Sequence, residues 1–263
     1  MKVNDVIKYI EKQYPLNSML DFDNSGANIV SFDDEVKKIL VCLDISKGAI
    51  DYAVKNDVNL IISHHPIIFN EFKNINDDTL SRKIRLLISN QINAYSVHTN
   101  FDANIKYGMG NAVVKKAFAK MPILKNTPFD EYYVGKTKYG IGNYITFTKN
   151  YTFDNIKDVL IKNLDLSADK IACYDITNNK KIKNLIIIPG SGSSDVEKVI
   201  LKKPDLLITS DLKHNQIIDL IDNDISYINA THYGLEKVFI EYFSDFLSKR
   251  FKNIIIKYYE NNL

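Results

Sequence analysis

The sequence predicts an α/β protein of two similar halves with mostly parallel sheets. Two observations support this prediction. Short, continuously apolar segments, typical of strands buried on both faces, alternate with helical segments of about 10–15 residues. After Lys183 the order of segments repeats: ILVCLD, NLIISHH and NAYSVHTNFD are followed by LIIIPG, DLLITSD and SYINATHYGLE. We interpret this as an internal duplication, although any two βαβαβ stretches share such an outline.

The elements of the first half follow from the spacing of apolar residues. Val3, Val6, Ile7 and Ile10 recur at helical intervals and predict a helix over 3–13 that ends before Pro15. A polar stretch with Asn, Ser and Gly then predicts a loop over 21–27. The predicted strands are 39–43, 58–62 and 92–97, and the predicted helices are 47–55, 78–90 and 110–119.

The middle of the chain has a different character before the first pattern returns. Residues 131–149 are rich in Tyr, Thr and Gly and predict antiparallel hairpins. The elements predicted after them are a helix at 153–164, strands at 170–174, 185–188, 206–209, 225–229 and 253–258, helices at 195–201 and 215–221, and a long amphipathic helix from Gly234. On this basis the halves are 1–125 and 126–263, within one compact whole.

Composition limits the class of protein. With 45% hydrophobic and 25% charged residues, the 263-residue chain is typical of a globular protein and not of a disordered one. The net charge of +2 argues against nucleic acid or an anionic membrane as a partner. Cys42 and Cys173 lie in apolar segments and are too few for a secreted disulfide scaffold. No apolar run approaches the ~20 residues that span a bilayer. We therefore expect a cytoplasmic protein with a core position for both cysteines.

All five histidines follow predicted strand ends within five residues. They are His64, His65, His98, His214 and His232. In open α/β sheets, ligands bind beyond the carboxyl ends of the strands. The pattern therefore indicates a binding site rather than scattered core histidines.

Two of these histidines precede a carboxylate by four residues. His232 and Glu236 share one face of a helix and can bind one ion together, whereas His98 and Asp102 lie in a loop or at a helix start. Imidazole and carboxylate without thiolate suit zinc, manganese, iron, cobalt or nickel. Two to four histidines with two carboxylates are more ligands than one catalytic ion with an open position requires. They match a pair of ions, which can bind both the attacking and the leaving oxygen of a displacement reaction.

Four motifs together resemble the Nif-three-like dinuclear metal-centre family, whose members are also labelled GTP cyclohydrolase I type 2 homologues. The motifs are SHHPIIF (63–69), SVHTNFDA (96–103), TSDLKHN (209–215) and ATHYGLEK (230–237). The similarity runs from the N-terminal helix to about Lys249. The family's early loop often has Trp before DNVGL, whereas DFDNSGANI here keeps Asp23, Asn24 and Gly26, and the chain has no Trp. This departure affects the expected shape of the cavity wall and not the metals.

The resemblance carries several expectations. It implies two divalent metal ions per chain, held by His64, His65, Asp102, His232 and Glu236, with Asp102 and Glu236 as candidates for sharing both ions. It also implies two intertwined α/β halves and a ring-shaped homohexamer with its metal sites facing an internal cavity. A chain of 263 residues corresponds to the short form, without the inserted middle domain of longer relatives.

Other polar positions have alternative interpretations. His98 is a proton-transfer residue, a partner of Asp102 or of a metal-bound water, a ligand, or an ordinary polar residue. His214 is a proton-transfer residue or an ordinary polar loop residue. The Gly190–Ser194 loop could bind phosphate through backbone N–H groups or form a tight βα turn.

Two functions stay open on the sequence. The first is a metal-dependent hydrolase acting on a nucleotide or another phosphate-bearing small molecule, with His98 or His214 transferring protons. A cyclohydrolase activity would rest on the family label alone. The alternative is a non-catalytic protein that stores or delivers metal or serves as an interaction platform.

Overall fold

The computed structural model describes residues 1–176 and 181–261, which form two compact units with a sheet in each. The first unit comprises 1–101 and 239–263, and the second comprises 102–238. The boundaries of these units differ from those of the predicted halves, 1–125 and 126–263. The difference arises because the last strand joins the first sheet, whereas the segment after residue 101 belongs to the second unit.

Helices and strands alternate along most of the described chain. The helices are α1 (Val3–Gln13), α2 (Lys47–Lys55), α3 (Thr79–Ser89), α4 (Thr99–Asp102), α5 (Met109–Ala117), α6 (Phe153–Leu164), α7 (Val196–Lys202), α8 (His214–Asp222), α9 (His232–Glu236) and α10 (Val238–Arg250). The strands are β1 (Gly26–Ile29), β2 (Lys38–Cys42), β3 (Leu60–Ser63), β4 (Asn93–Ser96), β5 (Ile123–Val134), β6 (Thr137–Tyr151), β7 (Ala172–Tyr174), β8 (Ile182–Ser191), β9 (Leu206–Ser210), β10 (Ser226–Ala230) and β11 (Ile255–Tyr259).

The first unit is built on a five-stranded sheet in the order β1-β4-β3-β2-β11. The four strands from β4 to β11 are parallel, and β1 pairs antiparallel with β4 at the edge. The parallel strands β2 and β3 are almost wholly buried, as their continuous apolar sequences predict. Aromatic rings join α1 to α10, since Tyr9 stacks on Phe246 with 5.0 Å between centroids.

The second unit has a six-stranded sheet in the order β5-β6-β8-β9-β10-β7. Its centre, β8-β9-β10, is parallel, and the outer strands pair antiparallel. β5 and β6 form one long hairpin that begins before the predicted residue 131. Cys42 is buried as expected, but Cys173 is exposed, because β7 lies at the edge of the sheet.

The two units repeat one plan, in agreement with the predicted duplication. Each has three consecutive parallel strands, β2-β3-β4 and β8-β9-β10, and an antiparallel edge strand, β1 or β7, on the third of them. A short helix follows that third strand, α4 in one unit and α9 in the other. The predicted α/β fold with mostly parallel central strands is confirmed.

The chain departs from two predicted boundaries. β8 continues through Ser191, where a turn was expected after 188. The predicted long helix from Gly234 is two helices, α9 and α10, and the N–H of Lys237 bonds to the carbonyl of Tyr233 at their junction. α10 has 13 residues, and within 1–176 and 181–261 no helix combines the length and the apolar character that crossing a membrane requires.

Candidate metal centre

His64 is the most deeply buried of the candidate ligands. It directly follows β3, and its side chain is inaccessible to solvent. Its Nδ1 lies 2.9 Å from the carbonyl oxygen of Val97. A carbonyl can only accept, so Nδ1 carries the proton and Nε2 has the lone pair that a metal requires.

His65 is oriented in the same way by a carboxylate. Its Nδ1 lies 2.8 Å from Oδ1 of Asp44, which follows the neighbouring strand β2. The hydroxyl of Ser63 donates to the carbonyl of His65 at 2.7 Å and fixes the backbone of this turn. A carboxylate on Nδ1 holds the ring and raises the basicity of Nε2, as it does for many metal-ligating histidines.

The third imidazole of this unit, His98, bonds to Asp23. Nδ1 of His98 lies 2.7 Å from Oδ1 of Asp23, whose side chain is inaccessible to solvent. The other oxygen of Asp23 accepts hydrogen bonds from the hydroxyls of Ser25 and Thr99 and from the Thr99 N–H. Burial would raise the pKa of Asp23, but the hydrogen bond and charge of His98, with Ser25 and Thr99, outweigh it and lower that pKa.

These three residues form what we call the imidazole cluster: His64, His65 and His98. The ring centroid of His64 lies 5.0 Å from each of the other two, which are 5.4 Å apart. One ring nitrogen from each residue lies within 4.8 Å of the others. Three imidazoles are a ligand set that holds a catalytic metal with an open position, so this cluster could hold a metal ion.

The second unit places His232 and Glu236 on one face of α9, as the four-residue spacing predicts. Nε2 of His232 and Oε2 of Glu236 are 3.0 Å apart. Two ligands at about 2.0–2.2 Å from a tetrahedral ion lie about 3.3–3.6 Å apart, so this pair is close enough to bind one ion after a small adjustment. Thr231 caps the helix by accepting the Gly234 N–H, and Glu236 is 3% exposed.

Asp211 orients His232. Its Oδ2 lies 2.6 Å from Nδ1 of His232, the arrangement that Asp44 provides for His65. Asp211 directly follows β9 and has a φ of +58°, in the left-handed region that non-glycine residues rarely adopt. Such backbone strain is concentrated at functional sites, where the surrounding structure enforces it.

Gly190 provides the space beside this pair. Its φ is +76°, and a Cβ there would lie 2.3 Å from Oε1 of Glu236 and 3.6 Å from Nε2 of His232. Only glycine permits this approach of the backbone to the carboxylate. Ser210 donates to the Gly190 carbonyl at 2.6 Å and holds the segment in place.

The remaining predicted positions are Asp102, His214 and the Gly190–Ser194 loop. Asp102 is the last residue of α4 and the first residue of the second unit, and it is partly buried. His214 is exposed at the first position of α8. The Gly190–Ser194 loop is the end of β8 followed by a 3₁₀ turn over Gly192–Asp195.

Asp23, Asp44 and Asp211, which bond to the predicted histidines, were not singled out as site residues from the sequence. Asp44 and Asp211 follow strand ends, and this placement was a usable signal. Tyr132 had no such signal, since it lies in the β5–β6 hairpin and is linked to Asp102 only by the fold. Burial and then the charge of Asp102 raise the pKa of Tyr132, so its phenol stays protonated and can donate a hydrogen bond.

The donor chemistry fits a divalent transition metal. His64, His65 and His232 each have their Nδ1–H group bonded to a carbonyl or a carboxylate, which are the outer partners that metal-ligating histidines use. The buried carboxylate of Glu236 adds the anionic oxygen that such a site requires.

The chain is similar in sequence to several known proteins. A protein from Clostridium acetobutylicum named GTP cyclohydrolase 1 type 2 homolog is 34% identical over 239 residues, which are 90% of this chain and 85% of that protein. A Helicobacter pylori protein named GTP cyclohydrolase 1 type 2 is 32% identical over 90% of this chain and 88% of its own.

The fold is also found in a solved structure. A Bacillus cereus protein related to NIF3 matches with a TM-score of 0.87 at 16% identity, over 100% of this chain and 97% of that one. The model of the family DUF34/NIF3 (NGG1p interacting factor 3) matches residues 1–262. The chain therefore belongs to the DUF34/NIF3 family.

Proposed function

We propose that this protein is a metal-dependent hydrolase with a dinuclear divalent-metal centre, acting on a nucleotide or another phosphate-bearing small molecule. The observation that carries the proposal is the shared orientation of His64 and His65. Each has its Nδ1 bonded to an acceptor, which directs Nε2 to a ligand. The names of the relatives support a hydrolytic activity on a nucleotide.

The proposed ligands are the residues that the family resemblance implies. They are His64, His65, Asp102, His232 and Glu236, and the ions would be zinc, manganese, iron, cobalt or nickel. Bound there, two divalent ions would supply Lewis-acid stabilisation of the negative charge that develops on the substrate. Gly190 leaves room for the Glu236 carboxylate, and Asp44 and Asp211 hold His65 and His232 in the ligating tautomer.

Proton transfer is assigned to His98. Because its Nδ1–H bonds to Asp23, Nε2 is the atom that takes up or releases a proton. The lowered pKa of Asp23 keeps that carboxylate ionised, and the negative charge stabilises the imidazolium that proton uptake creates. His214, exposed at the start of α8, is a second candidate for the same role.

Elemental analysis of the purified protein tests the metal centre. We expect two divalent ions per chain, and zero or one would contradict a dinuclear mechanism. Asp102→Ala and Glu236→Ala should each lose metal, whereas Asp51→Ala, at an exposed carboxylate bonded to Lys47, should keep both ions.

Turnover tests the catalytic part of the proposal. The metal-loaded protein should be assayed against nucleoside triphosphates, phosphodiesters and cyclic nucleotides. Hydrolysis that is lost in the Asp102 and Glu236 variants supports a hydrolase. His98→Gln should lower kcat while retaining metal, and the same substitution at His214 shows whether that residue contributes. Absence of turnover with tightly bound, exchangeable metal would favour storage or delivery.

We further propose a cytoplasmic homohexamer. This part rests on the family resemblance and has a separate test. Sedimentation equilibrium should give the mass of six chains, and a monomeric or dimeric mass would contradict it.

A further inference from the structure

Two exposed phenyl rings lie together in the first unit, and one of them, Phe69, contacts His98 of the imidazole cluster. Phe22 is 63% exposed and Phe69 is 44% exposed. Their ring centroids are 6.3 Å apart at an interplanar angle of 48°. Single exposed apolar residues are ordinary. Two aromatic rings in contact, however, form a small apolar surface whose exposure to water is unfavourable in free energy.

The loops that carry the two rings are fastened to each other. The amide of Asn24 donates to the carbonyl of Ile68 at 2.7 Å, and the N–H of Ile68 donates to Oδ1 of Asn28 at 3.2 Å. Both backbone groups of the residue before Phe69 are therefore bonded to the segment that follows Phe22. These bonds fix the two loops relative to each other, which keeps the backbones that carry the rings in place for a ligand.

The aromatic pair is continuous with the proton-transfer residue. Phe69 meets the ring of His98 edge-on, with 6.2 Å between centroids and an angle of 76°. Phe22 directly precedes Asp23, which holds His98. A molecule lying on the two phenyl rings would thus extend toward the imidazole cluster of the same unit.

We propose that Phe22 and Phe69 form a subsite that binds the planar aromatic ring of the substrate, such as a nucleobase, while the phosphate-bearing part lies toward the metal centre. This inference rests on the proposed function and narrows its substrate class to phosphates that carry a planar aromatic ring. A flat ring can stack on one phenyl face and present its edge to the other. Base stacking on an aromatic side chain stabilises a complex and tolerates different bases.

The size of the surface favours a small molecule over a protein. A stable protein interface buries about 800 Å² on each partner, far more than two phenyl rings provide. Pockets for small ligands, in contrast, combine a few aromatic side chains with a few polar groups, as this site does.

The chain has no Trp, so Phe22→Trp introduces a single indole as a probe. Titration with adenosine, guanosine or cytidine monophosphate should quench its fluorescence saturably. Ribose 5-phosphate, which has no aromatic base, should not. Phe32→Trp, at a 47% exposed position of the same unit, is the matched control and should show no saturable quenching. Equal responses to nucleotides and ribose 5-phosphate, or no quenching by any nucleotide, would overturn the subsite.

Calorimetry provides a second measurement without the indole. The double variant Phe22→Ala, Phe69→Ala should bind nucleoside monophosphates about tenfold more weakly than wild type, whereas Phe32→Ala should bind as wild type. Unchanged affinity would contradict the proposal, and a change of sedimenting mass alone would assign the rings to an interface between copies.

Failure of this inference can be separated from failure of the proposed function. Hydrolysis of tripolyphosphate, which has no ring, with two ions bound but no stacking signal would leave the hydrolase and remove the subsite. Nucleotide stacking in a protein with no bound metal and no turnover would support the subsite and contradict the hydrolase.

Discussion

Oδ1 of Asp23 lies 2.7 Å from Nδ1 of His98, although 75 residues separate the two along the chain. The bond connects the loop before β1 to the carboxyl end of β4. Asp23 also accepts hydrogen bonds from Ser25 and Thr99. One buried carboxylate therefore joins these two segments of the first unit and orients the proposed proton-transfer residue, His98.

Asp23→Asn should destabilise the protein in a pH-dependent manner. Hydrogen bonding in the folded state lowers the pKa of Asp23 below its ordinary value of 3.8. The stability it contributes is therefore fully present above that pH and is lost as the pH falls toward the lowered pKa. Urea unfolding should show a loss of about 2 kcal/mol at neutral pH that shrinks below about pH 4.

Asp33→Asn is the control for that series. Asp33 pairs with Lys2 at the surface, and both side chains are more than half exposed, so the substitution should leave the stability unchanged within error. A loss for Asp23→Asn that is the same at every pH would show that the charge of Asp23 is not the source of its effect.

Gly190→Ala should disturb the site by steric overlap with Glu236, since the added Cβ would lie 2.3 Å from Oε1. Gly135 also has a positive φ, +60°, but no atom lies within 4 Å of its hypothetical Cβ. Gly135→Ala therefore measures the backbone cost alone, about 1 kcal/mol. We expect a larger loss of stability and a lower metal content only for Gly190→Ala, and equal effects at both glycines would argue against the close approach.

Asp44→Asn and Asp211→Asn should weaken metal binding without removing a ligand. Each replaces the carboxylate that fixes the tautomer of a histidine, His65 or His232. Loss of such an outer partner commonly lowers affinity by about 10–100-fold. Asn tolerates the left-handed backbone of Asp211, so this substitution isolates the carboxylate. Chelator competition gives the affinities, and values equal to wild type would exclude the orienting role.

Removal of metal should lower the melting temperature. A ligand that binds only the folded state at 100 times its Kd adds about 2.7 kcal/mol of stability. Differential scanning calorimetry with and without a chelator should therefore show a shift for wild type. His64→Gln and Glu236→Gln should show a smaller shift or none, and a full shift in either variant would place the metal elsewhere.

Local sequence patterns determined most of the elements and the type of site. The apolar spacing predicted α1, α2 and α6 with the bounds that the structure has, because helical periodicity is a property of neighbouring residues. The placement of His64, His98 and His232 after strand ends was likewise visible in the sequence. The short strand β1 was not predicted, and its first two residues were assigned to a loop. Its four residues carry little pattern and are held by pairing with β4.

Tertiary structure decided the boundaries of the units and the state of each imidazole. The return of β11 to β2 depends on strand pairing across the whole chain, which no local pattern encodes. The acceptors of the Nδ1 protons, Val97, Asp44, Asp23 and Asp211, lie 21 to 75 residues from their histidines. A sequence states which side chains can bind a metal, but the lone pair that each presents depends on distant groups that only folding brings within hydrogen-bonding distance.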